Sequence, residues 1–120
     1  MVWAKERYEV RPNTPIPEAA PEEIQRRLES GENLLLIDVR EREEVAVAAL
    51  SDALVCPLSE AAEWIDRLPK DQPLVIFCHH GIRSMRVAVA LAQRGHENVI
   101  NMSGGIDLWS TQVDARVPRY

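Results

Sequence analysis

The stretch Leu74-Val75-Ile76-Phe77-Cys78-His79-His80-Gly81-Ile82-Arg83-Ser84 decides how this chain is built. Its first four residues are apolar without alternation, the pattern of a strand buried on both faces. A cysteine closes the run. A short loop with one glycine follows. Ser84 to Arg94 then reads as a helix, with Met85, Val87, Ala88, Leu91 and Ala92 on or near one face and Gly95 as its stop. In open α/β sheets, ligands bind beyond the carboxyl ends of strands, so weight falls on the loop after Phe77.

Outward from there the same alternation repeats. Pro21 suits a first helical position, Glu22 and Glu23 suit a helix start, and Ile24 and Leu28 share a face before Gly31. Leu34 to Val39 is a second apolar run. Ala53 to Cys56 reads as a short strand ended by Pro57. Ser59 is placed to cap a helix carrying Ala62, Trp64, Ile65 and Leu68, which Pro69 closes. Val99 and Ile100 mark a last strand, and Ser103 to Trp109 a short helix. Strands alternating with helices predict an α/β domain: a central parallel sheet of about five short strands with helices on both faces. Residues 1–17 read as an irregular arm broken by Pro12, Pro15 and Pro17, with Trp3, Tyr8 and Val10 available to lie on the domain. The domain proper is expected over 18–110, and 111–120 form a tail.

A chain of 120 residues with 46% hydrophobic and 28% charged residues fits one globular domain. The net charge of -5, from 14 basic and 19 acidic residues, argues against nonspecific nucleic-acid binding and against a polybasic membrane anchor. No apolar run approaches a membrane span, and Met1 to Val10 lacks the apolar core of a signal peptide, so a cytoplasmic protein is expected. Two cysteines, Cys56 and Cys78, make no disulfide framework and no zinc-type Cys-x-x-Cys. Whether they pair with each other depends on their separation.

The loop carries the chemistry. Successive N–H groups in such a turn form an anion-binding nest, the helix start adds unpaired donors, and Arg83 adds a full charge. All three favour the thiolate of Cys78, which is the nucleophile. Gly81 lets the backbone turn without a side chain over the sulfur. His79 and His80 are neighbours, so in an extended loop they point apart; they either line the mouth and tune substrate choice or are solvated loop side chains without a role, and no metal site is expected from them. Arg83 either binds substrate oxygens or pairs with a carboxylate such as Asp38 or Glu44. Arg40 and the acidic run Glu41, Glu43 and Glu44 are open in the same way, a solvated helix face being the alternative for the run. Cys56 reads as a core residue, and Trp64 and Trp109 as core anchors.

Four segments in order resemble the rhodanese homology family. The loop matches its Cys-x-x-Gly-x-Arg pattern followed by a small polar residue. Leu36-Ile37-Asp38-Val39-Arg40-Glu41, with Glu43 and Glu44 after it, resembles its Asp-Val-Arg box. Pro57-Leu58-Ser59 resembles the segment after its second strand, and Asn98 through Trp109, with Ser103-Gly104-Gly105, its closing motif. The similarity covers roughly Ile16 to Trp109. The resemblance implies a rhodanese-like fold and a sulfurtransferase. Cys78 takes a sulfane sulfur from thiosulfate or a persulfide and passes it to cyanide or a thiol. His79, His80, Gly81, Ile82 and Arg83 form the substrate loop, and Asp38, Arg40 and Ser84 support it. No metal or organic cofactor is implied. The implied partners are a small sulfur donor or a persulfidated protein and a thiol acceptor, with no nucleic acid and no membrane.

Two departures qualify it. The family often has Gly-His-Ile before its second strand, where this chain has Ala48-Ala49-Leu50. Efficient thiosulfate users tend to have basic loop residues, where this chain has two histidines, so weak use of thiosulfate is expected. Two other functions compete. A phosphatase or arsenate reductase uses a similar cradle, but with five residues between cysteine and arginine; here four intervene. A noncatalytic interaction module is the other alternative, and inactive relatives usually lose the cysteine.

Overall fold

The apolar runs become the middle of one sheet. In the computed structural model, which describes residues 15–120, the order is β1 (Glu18–Ala19), α1 (Pro21–Glu29), β2 (Leu35–Asp38), α2 (Arg42–Val47), β3 (Leu54–Val55), a 3-10 turn (Leu58–Glu60) leading into α3 (Ala61–Trp64), β4 (Leu74–Phe77), α4 (Ile82–Gln93), β5 (Val99–Met102) and α5 (Gly105–Gln112). The five strands are all parallel and lie in the order β1-β5-β4-β2-β3. All four residues of β4 are fully buried, because parallel sheets are covered on both faces. The strand period of two sorts the core. Val75 and Phe77 pack with Ile24, Met102, Ile106 and Trp109 on the side of α1 and α5. Leu74, Ile76 and Cys78 pack with Ile65, Val87, Ala88 and Leu91 on the side of α3 and α4.

The strand order fixes where the site lies. From β2 the chain crosses to β3 on one side, and from β4 it crosses to β5 on the other. The crevice at the carboxyl ends of β2 and β4 is therefore the switch point of the sheet. Asp38 pairs with Phe77 in the register there, so Val39 and Cys78 leave the sheet side by side, with Arg40 one residue on.

Several local expectations are corrected. β1 was not anticipated: two residues between Pro17 and Pro21 carry no apolar run, and they become a strand by pairing Glu18 with Asn101 and Ala19 with Met102. α4 starts at Ile82 rather than Ser84 because Gly81, at φ 104°, already turns the chain into the helix. α3 stops at Trp64 instead of reaching Leu68. Trp64 donates its indole N–H to the Pro57 carbonyl at 2.8 Å, and a turn bond from the Arg67 N–H to the Trp64 carbonyl at 2.9 Å replaces helical continuation. Ser59 caps no helix; its hydroxyl bonds the Glu41 carboxylate. α5 begins two residues later than expected, at Gly105, and runs through Gln112. Residues 1–14, including Trp3, Tyr8 and Val10, lie outside the described residues.

Gly105 joins the last helix to the cysteine loop. Its φ is 59°, and a Cβ there would run into the carbonyl oxygens of Cys78 and His79. Those carbonyls accept from the first turn of α5: Ile106 N–H reaches Cys78 at 2.9 Å and Asp107 N–H reaches His79 at 3.1 Å. Gly105→Ala is expected to destabilise the fold by about 1–3 kcal/mol, the cost of overpacking a filled site. A lowered midpoint in urea denaturation checks it.

Candidate active site

Cys78 ends β4 with its side chain turned to the α4 face and only 1% of the residue exposed. Its Sγ accepts the Gly81 N–H at 3.2 Å and the Ser84 N–H at 3.4 Å, and the Ser84 hydroxyl lies 3.4 Å away. The His80 N–H adds to the set. Burial opposes ionisation, but the Ser84 hydroxyl and these N–H groups outweigh it, and the thiol is held below its ordinary value. Cys56 shows the contrast. It is buried with Asp38 nearby and, among the described residues, has no comparable donors, so its thiol is pushed up to about 11. Both cysteines are free.

The charged residues of the site are paired. Arg83 gives both terminal nitrogens to Glu44, at 2.6 and 2.8 Å. That bidentate pair brings Glu44 from the ordinary 4.5 to about 2 and raises Arg83. Glu44 is therefore a clamp on the loop rather than part of a solvated face. Its contribution to stability is complete above the ordinary carboxyl value and is lost as pH falls from there through about 2. Glu41 forms a capping box with Glu44 at the start of α2. Arg40 and Asp38 are both fully buried and meet at 2.6 and 2.9 Å; Arg40 also donates to the Ala48 carbonyl at 2.7 Å. The segment that lacks the expected histidine thus serves the site through its backbone.

His79 and His80 do not point apart. Residues 79 and 80 form a bend, not an extended segment, and their rings lie 3.8 Å apart at 30°. Burial and the neighbouring His80 push His79 below its ordinary value, which keeps it neutral near pH 7. With Asp107, the two histidines place donor atoms within 4.8 Å of one another. The two rings are tilted against each other, the His80 Nε2 lies 3.9 Å from the Asp107 carboxylate, and that carboxylate is engaged by Arg119 at 2.9 and 3.1 Å. Ile82 stands 71% exposed beside the loop.

Two contributors escaped sequence reasoning. Asn101, fully buried in β5, donates to the Gly81 carbonyl at 3.1 Å and to Glu18 at 2.9 Å. A lone amide inside Val99-Ile100-Asn101-Met102 was its available signal, since buried polar groups need partners. Tyr120 gave none. It stacks on His79 with ring centroids 3.9 Å apart, and its hydroxyl donates to Glu44 at 2.9 Å and accepts from Arg40 at 3.0 Å.

The family described as Rhodanese-like domain matches residues 20–112. This chain belongs to that family. A curated relative from Allochromatium vinosum named "Sulfurtransferase" is 35% identical over 95 residues, covering 79% of this chain and 89% of its own length. The thiosulfate sulfurtransferase GlpE of Actinobacillus succinogenes is 33% identical over 78 residues, covering 65% of this chain and 70% of its own length. A rhodanese-related protein from Thermoplasma volcanium has the same fold, with a TM-score of 0.73 at 25% identity over 81% of this chain and 93% of its own. The rhodanese-like fold and a sulfurtransferase family are thereby established. Among the described residues, no helix is long and apolar enough to cross a membrane.

Two variants probe the site. Alkylation of Cys78 follows its thiolate fraction, so its rate should reach its plateau at lower pH than that of a free cysteine. Ser84→Ala, which removes one stabilising donor, should move the midpoint upward, as read by iodoacetamide labelling against pH. Asp38→Asn leaves Arg40 buried and uncompensated and should cost about 3–5 kcal/mol of stability in chemical denaturation.

Proposed function

We propose that this rhodanese-like protein moves a sulfane sulfur from thiosulfate or a persulfide to a thiophilic acceptor through a persulfide on Cys78. The observation that carries the reading is the lowered thiol of a cysteine ringed by N–H donors from His80, Gly81 and Ser84. The Cys78 thiolate attacks the outer sulfur of thiosulfate; the S–S bond to the sulfonate breaks and sulfite leaves. The terminal sulfur of the Cys78 persulfide carries the negative charge and takes up the loop N–H groups. Cyanide or a thiolate then attacks that sulfur, and Cys78 leaves as the thiolate. The scheme is ping-pong and draws on backbone dipoles held in place by the fold.

His79, Gly81 and Ile82 shape the approach, and Ser84 stabilises the thiolate. Asp38, Arg40 and Arg83 act by fixing the loop and the strand ends. Arg83 is occupied by Glu44 and Arg40 by Asp38, so a dianionic donor meets N–H groups rather than a free guanidinium. That favours persulfide donors and thiol acceptors over thiosulfate. It also speaks against phosphate chemistry, in which the loop arginine faces the oxyanion.

Thiocyanate formation from thiosulfate and cyanide tests the reading. Turnover is expected in the native protein and in Cys56→Ser, with a drop of at least about a thousandfold in Cys78→Ser, as for loss of a nucleophile. Turnover surviving in Cys78→Ser would overturn it. If thiosulfate is inert, the same comparison with glutathione persulfide as donor decides.

A further inference from the structure

Residues 113–120 turn back along α5 toward the cysteine loop. Val113 and Val117 pack on the core beside α5, and the Ser110 hydroxyl donates to the Val117 carbonyl. Beyond Val117 the ties change in kind. Arg119 holds Asp107 through an ion pair in which its own side chain is 60% exposed. Tyr120, 41% exposed, is held by hydrogen bonds to Arg40 and Glu44 and by its stack on His79. Exposed ion pairs are weak and screened by salt. Residues 118–120 are held at the loop by these side-chain contacts.

This segment lies where access matters. Cys78 is 1% exposed, so a donor reaches its sulfur only where the loop or its neighbours give way. The Tyr120 ring lies flat on His79, at 4° between planes, and its hydroxyl reaches the carboxylate that clamps Arg83. Beside this ring the His79 Nε2 is buried and, among the described residues, has no hydrogen-bond partner. Lifting the ring returns that nitrogen to water, which offsets part of what the lifted contacts contributed.

We propose that Tyr120 is a specificity-determining residue, a flap that in its closed position admits small sulfur donors to Cys78 and obstructs bulky ones. This rests on Cys78 as the acceptor of sulfur. A donor thiol on a protein or a large persulfide requires the flap to swing out, breaking the bonds of Tyr120 to Glu44 and to the buried Arg40, its stack on His79 and the Arg119–Asp107 pair together.

The test uses two alkylating reagents with the same reactive head, iodoacetamide and 5-iodoacetamidofluorescein, on the full chain, with labelling of Cys78 read by peptide mass spectrometry. The rate ratio of small to bulky reagent should fall about tenfold in Tyr120→Ala, a factor within reach of steric fit in a pocket. Tyr120→Phe keeps the ring and loses its hydroxyl bonds, and Arg119→Ala loosens the flap; both should fall between. A purely structural role would move both reagents alike. An unchanged ratio in Tyr120→Ala, or no labelling of Cys78 by either reagent in any protein, would overturn the proposal. The assay needs no sulfur transfer, so a shifted ratio beside absent thiocyanate formation would leave the flap standing while the function fell.

Discussion

A loop that turns its N–H groups toward one sulfur must turn its carbonyl oxygens the other way. Each of those carbonyls leaves solvent and needs a donor from elsewhere in the fold. Here the donors are few and specific. Ile106 and Asp107 at the start of α5 take the carbonyls of Cys78 and His79, and the Asn101 side chain takes that of Gly81. The cradle around Cys78 is thus half of a structure whose other half lies well further along the chain, at Asn101, Ile106 and Asp107. Gly105 is small because the outward carbonyls press against it.

The electrostatics follow from the same geometry. Full charges near the site are matched pairwise, Arg40 with Asp38 and Arg83 with Glu44. Matched charges hold elements in register but project little field. The field at the sulfur comes instead from N–H dipoles and the Ser84 hydroxyl, at distances of 3.2 to 3.4 Å. Such dipoles need no rearrangement when the negative charge moves from Sγ to an added sulfur. Cys56, buried in the same apolar cluster without them, shows what burial does to a thiol unaided.

Much of this was legible from the chain. The sheet core was visible because parallel strands are apolar on both faces, and β2 and β4 read as uninterrupted runs. The cysteine loop was visible because its parts are contiguous: strand, cysteine, glycine, arginine, helix. What was hidden is what depends on meeting at a distance. β1 exists only through its pairing with β5. The choice of Glu44 over Asp38 as partner of Arg83 turns on the placement of α2, and Asp38 is already taken by the buried Arg40. The approach of the His79 ring to His80 needed the bend before Gly81, and the docking of Tyr120 needed a path for the chain after α5. Neither leaves a periodic trace.

The long reach between Cys78 and its supports also sets an order in time. A chain made from its amino end presents the cysteine before Asn101, Ile106 and Asp107 exist to hold the loop open. Until they arrive, nothing aligns the N–H groups, and the thiol has the acidity of any exposed cysteine. The lowered thiol is therefore acquired at the last step of assembly, and a nascent or unravelled copy of this protein carries at that position a cysteine of ordinary acidity.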